Sequence, residues 1–202
     1  MGGAILFALV LTMVVPASAA STVPTDANAG YVIISDPSTG EKWSWELSAS
    51  DIMAAKISSC NDISESNQTS EITVNIGEYL LQTMASYPNI EQILNDDITL
   101  KAGFSYSYDS QNKKVAMHQA YGSTSSNGLY YATNQTFCYE NPGVFGRIYQ
   151  YPTTSSWSYA TNSNWGTYSP ASPPLAGLEC RITVAGMEYT HRDVSVMCKF
   201  FA

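Results

Sequence analysis

The chain has 202 residues, is 45% hydrophobic and carries nine basic against seventeen acidic residues, for a net charge of −8. That balance argues against nucleic acid and anionic membrane as partners, because their phosphates repel an acidic surface. The length is enough for one domain with a real core. The charge is uneven: residues 21–96 hold eleven acids and two bases, and residues 97–202 hold six acids and seven bases.

Residues 1–20 read as a signal peptide. Positions 4–15 are apolar apart from Thr12, and Ala17-Ser18-Ala19-Ala20 supplies a small-residue cleavage site, although Met1-Gly2-Gly3 lacks the usual Lys or Arg. The run is too short to span a bilayer. Residues 21–30 form a flexible leader. Residues 31–202 form a single secreted, β-rich domain, with a hairpin and short helices over 31–97 and antiparallel sheets over 98–202.

In that first part, 31–35 and 42–47 read as two strands around the turn Asp36-Pro37-Ser38-Thr39-Gly40. Ser48 and Asp51 resemble a capping box, with Met53, Ile57 and Cys60 on one helical face. Residues 61–71 are polar and predict a loop. Ile76, Leu80, Met84 and Tyr87 predict a second short helix, and Pro88 can begin a third carrying Ile90, Ile93 and Leu94. Asn95-Asp96-Asp97 ends it.

From Ile98 the pattern changes to a period of two. Ile98, Leu100, Ala102, Phe104, Tyr106 and Tyr108 alternate with polar or small residues, which marks a strand with one dry face. Closing a hairpin over Asp109-Ser110-Gln111-Asn112 sets Tyr106 opposite Val115, Phe104 opposite Met117, Leu100 opposite Tyr121, and His118 opposite Gly103. Residues 122–128 read as a loop. Three β-prone runs follow, 129–139, 144–151 and 156–161, then an irregular, proline-containing connection over 164–177. A last hairpin pairs 178–184 with 194–200, with His191-Arg192-Asp193 at its solvated tip. The fold class is mainly β: an antiparallel β-sandwich, or a partly closed barrel, with two or three short helices in the N-terminal half.

Four widely spaced cysteines in an exported chain predict two disulfides. The register of the last hairpin favours Cys180–Cys198, which leaves Cys60–Cys138.

Catalytic and metal-binding motifs are absent from the sequence: there is no G-x-S-x-G, no C-x-x-C, no H-E-x-x-H and no calcium loop. His191-Arg192-Asp193 matches a kinase catalytic-loop triplet without the accompanying glycine-rich loop or D-F-G. Asp109, Glu140, Glu179, Glu188 and Asp193 are isolated acids that could serve a hydrolase only if the fold assembled two of them. No cofactor is implied. The feature above background is aromatic: Tyr149, Tyr151, Trp157, Tyr159, Trp165 and Tyr168 lie among Ser, Thr, Asn and Gln. Flat rings with polar handles beside adaptable hydrogen-bonding groups suit a sugar or a protein surface. The expectation is therefore a secreted, non-catalytic binding module for a glycan or cell-surface partner. A small extracellular hydrolase or a structural envelope or matrix protein are the alternatives. Asn67-Gln68-Thr69 and Asn134-Gln135-Thr136 are N-glycosylation sequons, which take effect in a host that glycosylates its exports.

Overall fold

A computed structural model describes residues 30–47, 68–84, 98–126, 128 and 130–200. The expected signal peptide over 1–20, the expected leader to residue 29 and the expected helices at 48–60 and 88–94 lie outside them. The described residues form two antiparallel sheets packed face to face. The first contains β1 (Gly30–Ser35), β2 (Lys42–Leu47), β6 (Tyr130–Asn141), β7 (Phe145–Gln150), β10 (Leu175–Val184) and β11 (Met187–Lys199), in the order β2-β1-β11-β10-β6-β7. The second contains β3 (Gln68–Asn75), β4 (Ile98–Asp109), β5 (Lys114–Ser126) and β8 (Ser156–Ala160) in that order, with β9 (Trp165–Thr167) also paired to β5. One helix, α1 (Gly77–Met84), follows β3. The sheets stay separate, so the architecture is a sandwich and not a closed barrel.

Alternation builds the core. Val32 and Ile34 of β1, Leu178, Cys180 and Ile182 of β10, and Val194, Val196 and Cys198 of β11 are buried against Leu100, Phe104 and Tyr106 of β4 and Val115 and Met117 of β5. Each such aliphatic or aromatic side chain contributes about 1.5–3 kcal/mol by leaving water. The first hairpin forms as its sequence predicts. Asp36 Oδ1 accepts hydrogen bonds from the Ser38 backbone N–H at 2.8 Å and from Ser38 Oγ at 2.5 Å, which fixes the turn.

Several expectations are corrected. The composition of 61–71 predicts a loop, yet β3 begins at Gln68, because Ser70, Ile72 and Val74 alternate inward behind a polar outer face. In the long hairpin the turn shifts to Ser110–Lys113, since Asp109 Oδ1 accepts the N–H groups of Gln111 and Asn112, both at 3.0 Å. Tyr106 therefore faces Met117, while Phe104 faces Ala120 and Leu100 faces Thr124. A bulge separates these pairs. Tyr106 meets Met117 and Ser105 meets Gln119, so His118 is the extra residue and Gly103 faces Tyr121 instead. β5 then runs on to Ser126, through the stretch expected to be a loop.

The last hairpin turns at Ala185-Gly186, where Gly186 adopts φ +77°, and not at His191–Asp193. Cys180 faces Val194 and Cys198 faces Ala176, four positions apart along the strands. That offset is about 13 Å at strand rise, far beyond the ~7 Å Cα separation a disulfide tolerates. The expected Cys180–Cys198 bridge is not formed. Cys138, Cys180 and Cys198 are free, buried thiols, and Cys60 lies outside the described residues. Arg192, expected at a solvated tip, is buried in β11.

Candidate functional site

The outward face of the six-stranded sheet brings together charged and aromatic side chains from several strands. Directly opposed residues share a face, so the registers lay out successive rows. Lys42, Ser35, Asp193 and Arg181 form one row, and Ser44, Ile33, Ser195, Glu179 and Thr136 form the next. Glu46, Tyr31, Met197, Gly177, Cys138 and Tyr149 form a third, bordered by Lys199, Leu175 and Glu140. The first two rows enclose a depression of about 440 Å³. Arg181 spans it as a fork, donating from Nε to Asp193 Oδ1 at 2.8 Å and from Nη2 to Oδ2 at 3.2 Å. This pair is partly exposed, so it holds geometry more than it adds stability.

The third row is apolar beneath a charged rim. Cys138, Leu175 and Met197 form a buried cluster with Tyr31 against it. Gly177 makes this possible, because a Cβ there would stand 2.5 Å from Met197 Sδ and 3.3 Å from Cys138 Sγ. Lys199 Nζ sits 5.0 Å from the centre of the Tyr31 ring. Arg147 Nε donates to Glu140 Oε2 at 3.2 Å. Burial pushes the Tyr31 hydroxyl and the Cys138 thiol above their ordinary values, so both stay protonated donors at neutral pH.

The six aromatic candidates separate into different places. Tyr149 and Tyr151, 51% and 73% exposed, lie on β7 and just after it. Trp165, 45% exposed, belongs to β9 on the other sheet, where it pairs with Ala116. Trp157 and Tyr159 point inward from β8, with ring centroids 5.7 and 6.0 Å from that of Phe137. Tyr168 is buried, edge-on to Tyr108 and Phe200. Tyr131, which stands outside the aromatic run of residues 149–168, is 40% exposed and faces Thr183. That register places it six residues along β10 from the Tyr149 row, about 20 Å away. The sequence does not mark Lys42, Glu179, Arg181 and Asp193 as a group. The alternation of β10 exposes Glu179 and Arg181, but no local pattern reveals that β1, β11 and β6 flank them.

The acids are distributed as follows. Asp109 caps its own turn, Glu140 holds Arg147, and Glu179 and Asp193 share the depression. The side chain of Glu188 is outside the description. On the opposite face of the molecule, His118 Nε2 lies 2.8 Å from Ser107 Oγ and Nδ1 lies 3.1 Å from Ser163 Oγ. The backbone carbonyl of His118 accepts from the Thr161 N–H at 3.0 Å. These contacts tie the β8–β9 connection to the bulge, and Ser107 is itself buried. Among the described residues, no group of three or more His, Cys, Asp and Glu side chains could hold a metal ion.

Comparison of the chain with protein-family models, with curated proteins and with solved structures gave no match.

Proposed function

We infer that this chain is an exported binding module that takes a neutral, polyhydroxylated ligand, a glycan chain, on the outward face of the six-stranded sheet. The carrying observation is the charge-balanced depression between exposed tyrosines. Lys42, Arg147, Arg181 and Lys199 are matched on that face by Glu46, Glu140, Glu179 and Asp193. An ionic ligand would have to break such pairs. A hydroxyl can instead accept from a guanidinium and donate to a carboxylate at once, while Tyr131 and Tyr149 offer apolar ring faces to sugar C–H groups.

The test is titration of soluble neutral polysaccharides by calorimetry or affinity electrophoresis. Losing the charged fork at Arg181→Ala removes hydrogen bonds worth about 1.5–3 kcal/mol, so binding should weaken roughly 10- to 100-fold. Thermal stability should stay nearly unchanged, because the pair is partly exposed. Binding that survives Arg181→Ala and Tyr149→Ala, yet disappears in Trp165→Ala, would move the site to the other sheet and overturn this assignment.

A second reading, a glycan hydrolase, draws on Glu179 and Asp193 sharing the depression. Against it, Arg181 engages both oxygens of Asp193, leaving that carboxylate poorly placed as base or nucleophile. Release of reducing ends that is abolished by Glu179→Gln would favour the hydrolase.

A further inference from the structure

We propose that Asn134 is an N-glycan attachment site. The sequon Asn134-Gln135-Thr136 does not by itself distinguish a usable acceptor from a buried one, and the fold supplies the distinction. The register of β6 on β10 shifts here. Thr136 faces Glu179 and Thr133 faces Arg181, so Asn134 and Gln135 together oppose the single residue Cys180. Asn134 is the bulged residue, with φ +51°, a left-handed conformation that asparagine adopts more readily than most residues. The bulge turns its side chain outward: Asn134 is exposed and stands at the edge of the depression on the open face, as does Thr136. A bulky, hydrated chain on this amide would leave the core undisturbed, but because Asn134 lines the depression it would stand over part of the face proposed for the ligand, so an attached glycan and a bound one would compete for that face.

In the transfer, the Asn134 Nδ2 attacks the anomeric carbon of a lipid-phosphate-linked oligosaccharide presented by the export pathway's transferase. A C–N bond forms, the anomeric C–O bond to phosphate breaks, the lipid phosphate leaves with the electron pair, and the amide gives up one proton. The Thr136 hydroxyl completes the acceptor motif. The left-handed bulge alone would also account for an asparagine at this position. The experiment therefore has to separate the backbone role from the acceptor role.

The proposal rests on export but not on ligand binding. Protein purified from its own source should yield a peptide containing Asn134 with the added mass of a glycan. Thr136→Ala, which keeps Asn134 in the bulge, should lose that mass completely while the far-ultraviolet circular dichroism stays unchanged. Asn134→Gly, which suits the left-handed backbone, should lose it as well. A chain cleaved after its leader but bare at Asn134 would overturn this proposal alone. A bare chain still carrying residues 1–20 would overturn the export reading along with it.

Discussion

Asp36 and Arg192 illustrate how a single pair can join distant parts of this chain. Arg192 Nη1 lies 3.1 Å from Asp36 Oδ2, Nη2 donates to the Thr83 carbonyl of α1 at 3.1 Å, and Nη1 also donates to the His191 carbonyl at 3.0 Å. The guanidinium is 5.9 Å from the Trp43 ring centre. Asp36 read correctly as a turn residue, because the Pro-Ser-Thr-Gly that follows it is local turn chemistry. Arg192 misled, because its burial comes from a strand and a helix end far away in sequence. The Ser38 hydroxyl and N–H, with Arg192 adding to them, hold the Asp36 carboxyl below the ordinary value of 3.8. Its contribution to stability is therefore complete above that value and drains away as pH falls through the lower, folded-state value. Asp36→Asn should lower the melting temperature at pH 7, because it leaves the buried Arg192 without its counter-charge. It should also flatten the fall in melting temperature below about pH 4, where ordinary aspartates become protonated. An acid limb as steep in the variant as in the parent would refute this account.

At the level of the element, the β3–β4–β5–β8 sheet is shaped by two glycines at close approaches. A Cβ on Gly103 would meet the Ser70 carbonyl oxygen at 2.8 Å. One on Gly122 would meet the Lys101 carbonyl oxygen at 2.7 Å and Trp157 Cζ2 at 2.8 Å. Gly122 thus lets the inward-facing Trp157 lie across β5, and it explains why the Gly/Ser stretch after Tyr121 pairs as strand despite its loop-like composition. Gly122→Ala should cost about 1–3 kcal/mol, the usual penalty for overpacking, read as a lower denaturant midpoint. The bulge at His118 matters in the same way. By inserting one residue into β5 it brings Ala120 inward after Met117, so a hairpin register drawn on strict alternation goes astray.

For the whole molecule, stability comes from stacked apolar faces, and no disulfide links the three described cysteines. Burial pushes the Cys180 and Cys198 thiols up to about 12, so neither forms appreciable thiolate at neutral pH. Reductant should leave the melting temperature unchanged. Without reductant, Cys138, Cys180 and Cys198 should all be alkylated in denaturant, and Cys180 and Cys198 should resist alkylation in the native state. A cross-linked Cys180–Cys198 peptide in a non-reduced digest would contradict the observed register. Exposed Tyr149 and Trp165 lie on opposite sheets, so the run of aromatics between Arg147 and Tyr168 is contiguous in sequence but divided in space.

Period-two alternation, turn chemistry and composition were enough to establish a mainly β, antiparallel chain, the first hairpin, and the inward-facing residues of β4 and β10. These depend on interactions between residues close in sequence, where side-chain direction follows from backbone geometry alone. Which strands became neighbours, how far each hairpin slid, and which cysteines and charges met depended on the packing of whole sheets. A bulge such as that at His118 shifts register by a residue, and a close approach such as Gly122 on Trp157 depends on a strand far along the chain. The balanced face around Arg181 belongs to this second class, because five strands drawn from both ends of the described chain have to assemble before it exists.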